Sequence, residues 1–199
     1  LKGAGYINGM VGKWGLGPPN SSSIPTEMGF SYFYGYNCQR MAHNLYPPHL
    51  WENDKKDFLD NKVVSPRLKL QEGQDPYDES NYKVFNQNDY APDKMHVKAQ
   101  EFIENNYDNP FFLYYASPIP HAPLQAPQYL VDKYRNIIGE EDPYLGDKGY
   151  FPTRYPRATY AAMIEYIDIQ VGEIVDQLKR LNIYDNTIIL ITSDNGPTY

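Results

Sequence analysis

Hydrophobic positions recur with a helical period in two segments of the chain. In residues 93–106 and again in residues 160–181, apolar side chains fall three and four positions apart, and charged side chains lie between them. This spacing predicts two amphipathic helices, the second of them long. Its apolar positions are Tyr160, Met163, Ile164, Ile167, Val171, Ile174, Val175, Leu178 and Leu181.

Three apolar runs have the length of strands. Residues 7–13, with glycines nearby on both sides, are typical of a buried strand. Residues 111–116 are apolar and aromatic throughout, as in a strand covered on both faces, and residues 187–192 form a β-branched run typical of a central parallel strand. Since such strands alternate with helices, we predict an α/β fold with a mostly parallel sheet flanked by helices, the long helix packing on the sheet.

Residues 18–90 show little periodicity and many Pro, Asn, Tyr and Gly. A long irregular stretch in a compact domain is either functional or disordered, and the many aromatic side chains argue against disorder. We therefore expect a loop-rich insertion in a single domain that covers residues 1–199. Because the chain begins at Leu1 and stops soon after the last predicted strand, we expect it to be an internal part of a longer protein.

Charge and composition change the list of expected partners. The chain has 18 Lys and Arg against 25 Asp and Glu, a net charge of −7, and its basic residues are scattered, so no nucleic acid is expected. No run approaches the ~20 apolar residues of a membrane helix, so no membrane span is expected. Cys38 is the single cysteine, which excludes an internal disulfide.

Polar side chains follow each predicted strand. Lys13 ends the first, His121 follows the second on a proline-rich loop, and Asp194 and Asn195 follow the third. Ligands of open α/β sheets collect beyond the carboxyl ends of the strands, so these residues would form one anion and metal site. Plainer interpretations exist: a solvated lysine, a surface histidine, and an Asx turn closed by Gly196.

Motifs in the same order resemble those of type I sulfatases, the arylsulfatase-like branch of the alkaline-phosphatase-like superfamily. The lysine motif is Gly-Lys-Trp-Gly-Leu-Gly at residues 12–17. The histidine segment is Pro-His-Ala-Pro-Leu at residues 120–124, preceded by Phe-Phe-Leu-Tyr at residues 111–114. The third motif is Ser-Asp-Asn-Gly-Pro at residues 193–197. Several spaced motifs in one order are more specific than any one alone, and the resemblance covers nearly the whole chain.

The resemblance implies part of an N-terminal catalytic domain with an alkaline-phosphatase-like sandwich. It also implies hydrolysis of sulfate esters by attack of a formylglycine hydrate at sulfur, with calcium rather than magnesium as the metal. Asp194 and Asn195 resemble calcium ligands, Lys13 the residue that neutralises a sulfate oxygen, and His121 the residue that helps to protonate the leaving alcohol.

The resemblance also places the nucleophile elsewhere. Formylglycine is made from Cys or Ser in a Cys/Ser-x-Pro/Ala-x-Arg motif, and no such motif occurs, since Cys38 is followed by Gln-Arg-Met-Ala. We expect the formylglycine upstream, so that this chain alone would be inactive. Many sulfatases also carry a histidine two residues after the motif lysine, where this chain has Gly15. Another residue would take that role, and the glycine would leave room for a substrate group.

The insertion supplies candidate substrate contacts. Arg40, His43 and Trp51 could line a sugar subsite, which favours a sulfated carbohydrate as the substrate; alternatively, the insertion packs on its own aromatic side chains. His49 and His96 are interpreted as surface residues.

Two other functions fit the same residues. One is a phosphodiesterase or phosphonate monoester hydrolase of the same superfamily, and the other is a non-catalytic protein that binds sulfated glycans. By resemblance alone, the protein would be periplasmic, secreted or lysosome-like.

Overall fold

A computed structural model, which describes residues 1–196, shows an α/β unit built on one five-stranded sheet. The strands are β1 (Ile7–Lys13), β2 (Tyr32–Tyr36), β3 (His49–Glu52), β4 (Lys55–Phe58) and β5 (Phe111–Ala116). They are ordered β4-β3-β2-β1-β5. β1 pairs in parallel with β2 and β5, whereas β3 is antiparallel to both β2 and β4. The predicted α/β class is confirmed, although the sheet is mixed.

The segment 18–90 contributes β2, β3 and β4, none of which the sequence pattern predicted. These strands have only five, four and four residues, too few to show a clear period. A two-residue turn joins β3 to β4, and Asn53 adopts the left-handed backbone there, with φ of 55°. The Asn53 side chain also accepts a hydrogen bond from the backbone N–H of Phe33 at 2.9 Å, which ties the turn to β2.

Three α-helices accompany the sheet: α1 (Ala91–Asn106), α2 (Gln128–Ile138) and α3 (Pro156–Arg180). The predictions of α1 and α3 are confirmed, and α2 was not predicted. α1 lies on β1, β2 and β5, where Met95 and Ala99 are fully buried with Val11, Tyr34 and Tyr36. α3 packs mainly on α2, through a second core that includes Leu130, Ala162 and Met163, and it also touches α1. No helix of residues 1–196 is long and apolar enough to cross a membrane.

The three parallel strands approach each other closely at their carboxyl ends. A Cβ added to Gly12 would lie 1.9 Å from the carbonyl oxygen of Ala116, and one added to Gly35 would lie 2.0 Å from the carbonyl oxygen of Gly12. Only glycine allows this spacing. The ends of β1, β2 and β5 therefore meet at one edge of the sheet, where Lys13 and the two loops that follow β2 and β5 converge.

Four expectations about these elements are wrong. The long helix α3 packs on α2 and touches α1, whereas the sequence predicted that it packs directly on the sheet. β5 is an edge strand, and Phe112 and Tyr114 are exposed, because α1 covers only its other face. Residues 187–192 form no strand, and Ile188 and Leu190 are 88% and 87% exposed. A β-branched run favours a strand only where a partner strand accepts its hydrogen bonds, and the described part of the chain pairs none with it. His96 is buried, because it faces α3 from α1.

Candidate active site

The lysine at the end of β1 lies beside the chain that leaves β2. Lys13 is in register with Tyr36, and two residues later the backbone N–H of Gly15 donates a hydrogen bond to the carbonyl of Asn37 at 3.1 Å. The two segments therefore continue side by side past the edge of the sheet. The second of them then forms a short 3₁₀ helix, Gln39–His43, close to the end of β1.

The backbone at Gly15 suits glycine and no other residue. Its φ is +87°, and a Cβ added there would lie 3.1 Å from the Cβ of Gln39. The left-handed conformation strains any L side chain, and the close contact adds to that strain. A histidine at this position, as many sulfatases carry, would not fit the present backbone without a local rearrangement.

Two histidines from distant parts of the sequence stack at this edge. The imidazole centroids of His43 and His121 are 5.6 Å apart and the rings are inclined by only 11°. His43 comes from the 3₁₀ helix and His121 from the loop after β5. Tyr150 lies edge-on to both rings, with centroid distances of 5.2 Å to His43 and 5.7 Å to His121.

A backbone hydrogen bond sets the tautomer of His121. Its Nδ1 lies 2.6 Å from the carbonyl oxygen of Ala122. Because a carbonyl can only accept, Nδ1 carries the hydrogen, and Nε2 is the nitrogen that can exchange a proton with a ligand. His121 is exposed, so Nε2 can reach a molecule bound at the sheet edge.

The electrostatics of the site are positive. Burial lowers the pKa of His43 below its usual value of 6.5, and the positive charges of His121, Lys13 and Arg40 lower that pKa further. Every group that shifts this pKa therefore acts in the same direction. Lys13, Arg40, His43 and His121, hereafter the cationic cluster, come from β1, the 3₁₀ helix and the loop after β5. Such a group of ammonium, guanidinium and imidazole donors suits a small oxyanion.

The predicted metal ligands are not joined to the cationic cluster. Asp194 and Asn195 are exposed, and the Asn195 amide donates a hydrogen bond to the carbonyl of Gly196 at 2.8 Å. No hydrogen bond or ion pair within residues 1–196 links either residue to Lys13 or His121. The same residues contain no group of three or more His, Cys, Asp or Glu placed to hold a metal. The pair offers the oxygen donors that calcium prefers, but two residues are fewer than the about six to eight ligands that calcium takes.

Two other side chains considered in the sequence lie in different surroundings. Trp51 is in β3, where its ring contacts His49 at a centroid distance of 5.9 Å and the ammonium of Lys56 lies 5.7 Å from its centroid. No ring contact or hydrogen bond within residues 1–196 joins it to Arg40 or His43, with which it was grouped. Cys38 is exposed directly before the 3₁₀ helix.

Sequence reasoning missed two residues at or near this edge, Tyr150 and Asn37, whereas Ser117 was noted only as part of the polar set after the second predicted strand. Tyr150 carried no signal, because it lies in an irregular segment far along the chain. Asn37 is 1% exposed, and its Oδ1 has no hydrogen-bond partner within residues 1–196. The Oγ of Ser117 is also buried without a partner in that range. Both follow parallel strands directly, so the position of Asn37 after β2 was a signal that could have identified it, as the position after β5 did for Ser117.

Comparisons with known proteins give a consistent result. The family model described as Sulfatase matches residues 1–199. Mouse arylsulfatase J is 31% identical and human N-acetylgalactosamine-6-sulfatase is 28% identical, each over 98% of this chain. The chain spans 28% and 31% of the length of these two relatives.

Solved structures show the same fold. The structure of Ps i-CgsB in complex with k-i-k-neocarrahexaose superposes with a TM-score of 0.62 at 24% identity. The match covers 93% of this chain and 36% of that one. This likeness confirms the predicted alkaline-phosphatase-like fold, of which the described residues form a part. With the family match over its whole length, the chain belongs to the sulfatase family.

Proposed function

We propose that the protein containing this chain hydrolyses sulfate esters of carbohydrates, and that residues 1–199 are part of its N-terminal catalytic domain. Residues 18–90 of that domain are rich in loops and also supply three strands of the sheet. The observation that carries this proposal is the cationic cluster, which gathers Lys13, Arg40, His43 and His121 at the carboxyl edge of the sheet. The matching family supports sulfate as the oxyanion.

Within this proposal, the residues of the chain have distinct roles. Lys13 binds a sulfate oxygen, whose negative charge it balances as the bond from sulfur to the ester oxygen breaks. The electron pair of that bond passes to the ester oxygen. Nε2–H of His121 then donates a proton to this oxygen, and the alcohol part of the substrate leaves as a neutral molecule.

The proposal also includes a metal and a nucleophile. Asp194 and Asn195 would provide part of the coordination of a calcium ion. Calcium would add positive charge at the sulfate oxygens, and a formylglycine hydrate would supply the attacking oxygen. No residue of this chain lies in a formylglycine motif, so none is assigned as the nucleophile.

A carbohydrate substrate is supported by the proteins that this chain resembles. One relative is an N-acetylgalactosamine-6-sulfatase, and one structural neighbour was solved with a neocarrahexaose. Arg40 and His43 lie beside the proposed sulfate position and are therefore the proposed contacts to the sugar or its further sulfate groups. Trp51 stays a weaker candidate, because its described contacts are to His49 and Lys56 instead. A periplasmic, secreted or lysosome-like location is part of the same proposal.

The test compares matched esters on the full-length enzyme. We expect turnover of 4-nitrophenyl sulfate to exceed that of 4-nitrophenyl phosphate and bis(4-nitrophenyl) phosphate. We expect Lys13→Met to remove most of that activity and Lys2→Met, at an exposed position, to leave it unchanged. A preference for either phosphate ester would favour the phosphodiesterase or phosphonate hydrolase alternative. Binding of sulfated glycans without any turnover would favour the non-catalytic binder.

A further inference from the structure

The ring of Tyr150 touches both imidazoles of the cationic cluster. Its contacts with His43 and His121 are edge-on, with interplanar angles of 69° and 79°. Because the two imidazoles are nearly parallel to each other, the tyrosine stands against the side of the stack and meets both members at once. Edge-to-face contacts of this kind favour one relative orientation of the rings.

The loop of residues 144–153 that carries Tyr150 is closed at its base. Tyr144 and Thr153 exchange two backbone hydrogen bonds, of 2.9 and 2.8 Å. Next to Tyr150, Phe151 is 2% exposed and packs on Phe85 at a centroid distance of 5.1 Å. Tyr150 is thus next in sequence to Phe151, whose side chain is fixed in the apolar core.

A partly buried lysine holds the backbone of Tyr150 itself. The ammonium of Lys69 donates a hydrogen bond to the carbonyl of Tyr150 at 3.0 Å and a second to the carbonyl of Gly146. Hydrogen bonds from a charged donor are stronger than those between neutral groups. Lys69 therefore fixes the end of the loop that faces the histidines.

The same loop is tied to the segment that bears His121. The hydroxyl of Thr153 donates a hydrogen bond to the carbonyl of Leu124 at 3.1 Å. His121 is exposed, and its own ring hydrogen bond goes to the adjacent carbonyl of Ala122. Such a local bond moves with the loop, so ring contacts from outside the loop are needed to hold the imidazole in one position.

We propose that Tyr150 is a positioning residue, which holds His121 so that Nε2 points at the ester oxygen. The inference rests on the proposed function, because it assumes that His121 is the acid for the leaving alcohol. When the acid points in the wrong direction, the reaction slows. The rate falls most for those leaving groups that most need a proton. Tyr150 matters through its ring, whereas its hydroxyl plays no part in these contacts.

The test uses the full-length enzyme and two sulfate esters, one with a 4-nitrophenol leaving group and one with a simple alkyl alcohol. We expect Tyr150→Leu to lower kcat for the alkyl ester by about tenfold or more and kcat for the nitrophenyl ester by less than about twofold. Tyr150→Phe should keep both rates. Lys69→Met should show the same selective loss without altering the ring, so the result does not depend on one variant alone.

Further variants distinguish a failure of the role proposed for Tyr150 from a failure of the role proposed for His121. Tyr114→Leu, an exposed tyrosine on β5, should change neither rate. In a His121→Ala background, Tyr150→Leu should add little further loss for the alkyl ester. Equal losses on both esters from Tyr150→Leu and Lys69→Met, or a large loss from Tyr150→Phe, would overturn the positioning role. If His121→Ala itself shows no dependence on the leaving group, the proposed role of His121 fails as well.

Discussion

The imidazoles of His43 and His121 are nearly parallel, with ring centroids 5.6 Å apart. Burial and the positive charges of His121, Lys13 and Arg40 lower the pKa of His43, so protonation of this imidazole has a cost. A bound anion would remove that cost. The pair therefore links proton uptake at this edge of the sheet to the binding of a negatively charged ligand.

The first prediction concerns the pH dependence of His43. Its pKa lies below 6.5 because of burial and the positive charges of His121, Lys13 and Arg40, and bound sulfate should raise it. We expect NMR titration of the imidazole to show this rise when sulfate is added. His49 is the control, because burial and Lys56 lower its pKa and no residue of the cationic cluster contributes to that shift. An equal shift at both histidines would argue against a specific anion site.

The same shift has a consequence for stability. Since the folded protein disfavours protonation of His43, the unfolded chain takes up this proton at higher pH. The contribution of His43 to the free energy of unfolding is fully present above pH 6.5 and is lost as the pH falls through its lowered pKa. His43→Gln should therefore flatten the stability profile below pH 6.5, as measured by denaturant unfolding.

The second prediction concerns the backbone at Gly15. Gly15→Ala should lower the free energy of unfolding by about 1 to 2 kcal/mol, because φ of +87° disfavours a Cβ and Gln39 lies close by. Gly172→Ala is the matched control. Gly172 lies inside α3 with open space around it, so alanine there should stabilise the protein by about 0.5 to 1 kcal/mol. Chemical denaturation measures both, and effects of the same sign would contradict the interpretation.

The third prediction concerns the start of α3. The buried carboxylate of Glu141 accepts hydrogen bonds from the backbone N–H groups of Arg157 and Ala158 at 2.8 and 3.1 Å. These donors have no partner inside the helix, so Glu141→Ala should cost about 1 to 3 kcal/mol in thermal or denaturant unfolding. Glu141→Gln should cost less than alanine, because its amide oxygen still accepts one of these two hydrogen bonds, but more than zero, because its NH2 group faces the other donor. Glu72→Ala, at an exposed position, should change stability by less than about 0.5 kcal/mol.

The fourth prediction compares Arg40 with Trp51, two of the three proposed substrate-binding residues. Arg40 lies near His43, whereas Trp51 contacts His49 and Lys56. Arg40→Ala should raise KM for a sulfated oligosaccharide on the order of tenfold, the effect of losing one charged hydrogen bond. Trp51→Ala should raise it much less. Steady-state kinetics of the full-length enzyme would test this, and the reverse ranking would move the sugar site towards β3.

The sequence predicted the regular elements well where the pattern was long. α1 and α3 span several turns each, so their apolar positions reveal a helical period. β2, β3 and β4 were missed because strands of four or five residues show too few repeats. Residues 187–192 carry a strong strand pattern, but a pattern within one segment cannot show whether a partner strand is present.

The candidate site was predictable only in part. Lys13 and His121 were identifiable because each follows an apolar strand, and parallel strands end at one edge. The contact between His43 and His121 and the position of Tyr150 depend on how three irregular segments pack, which no local pattern encodes. His96 shows the same limit. Its Nε2 lies 2.7 Å from a carboxylate oxygen of Glu173, and this contact between α1 and α3 buries a side chain that its sequence neighbours suggested was exposed.

The most direct test of the central claim is a crystal structure of the full-length enzyme with inorganic sulfate, refined beside a sulfate-free crystal. The claim predicts one sulfate at the carboxyl edge of β1, with hydrogen bonds to both the Lys13 ammonium and Nε2 of His121, and with Arg40 or His43 also in contact. A sulfate bound elsewhere, with Lys13 and His121 facing different ligands, would contradict it.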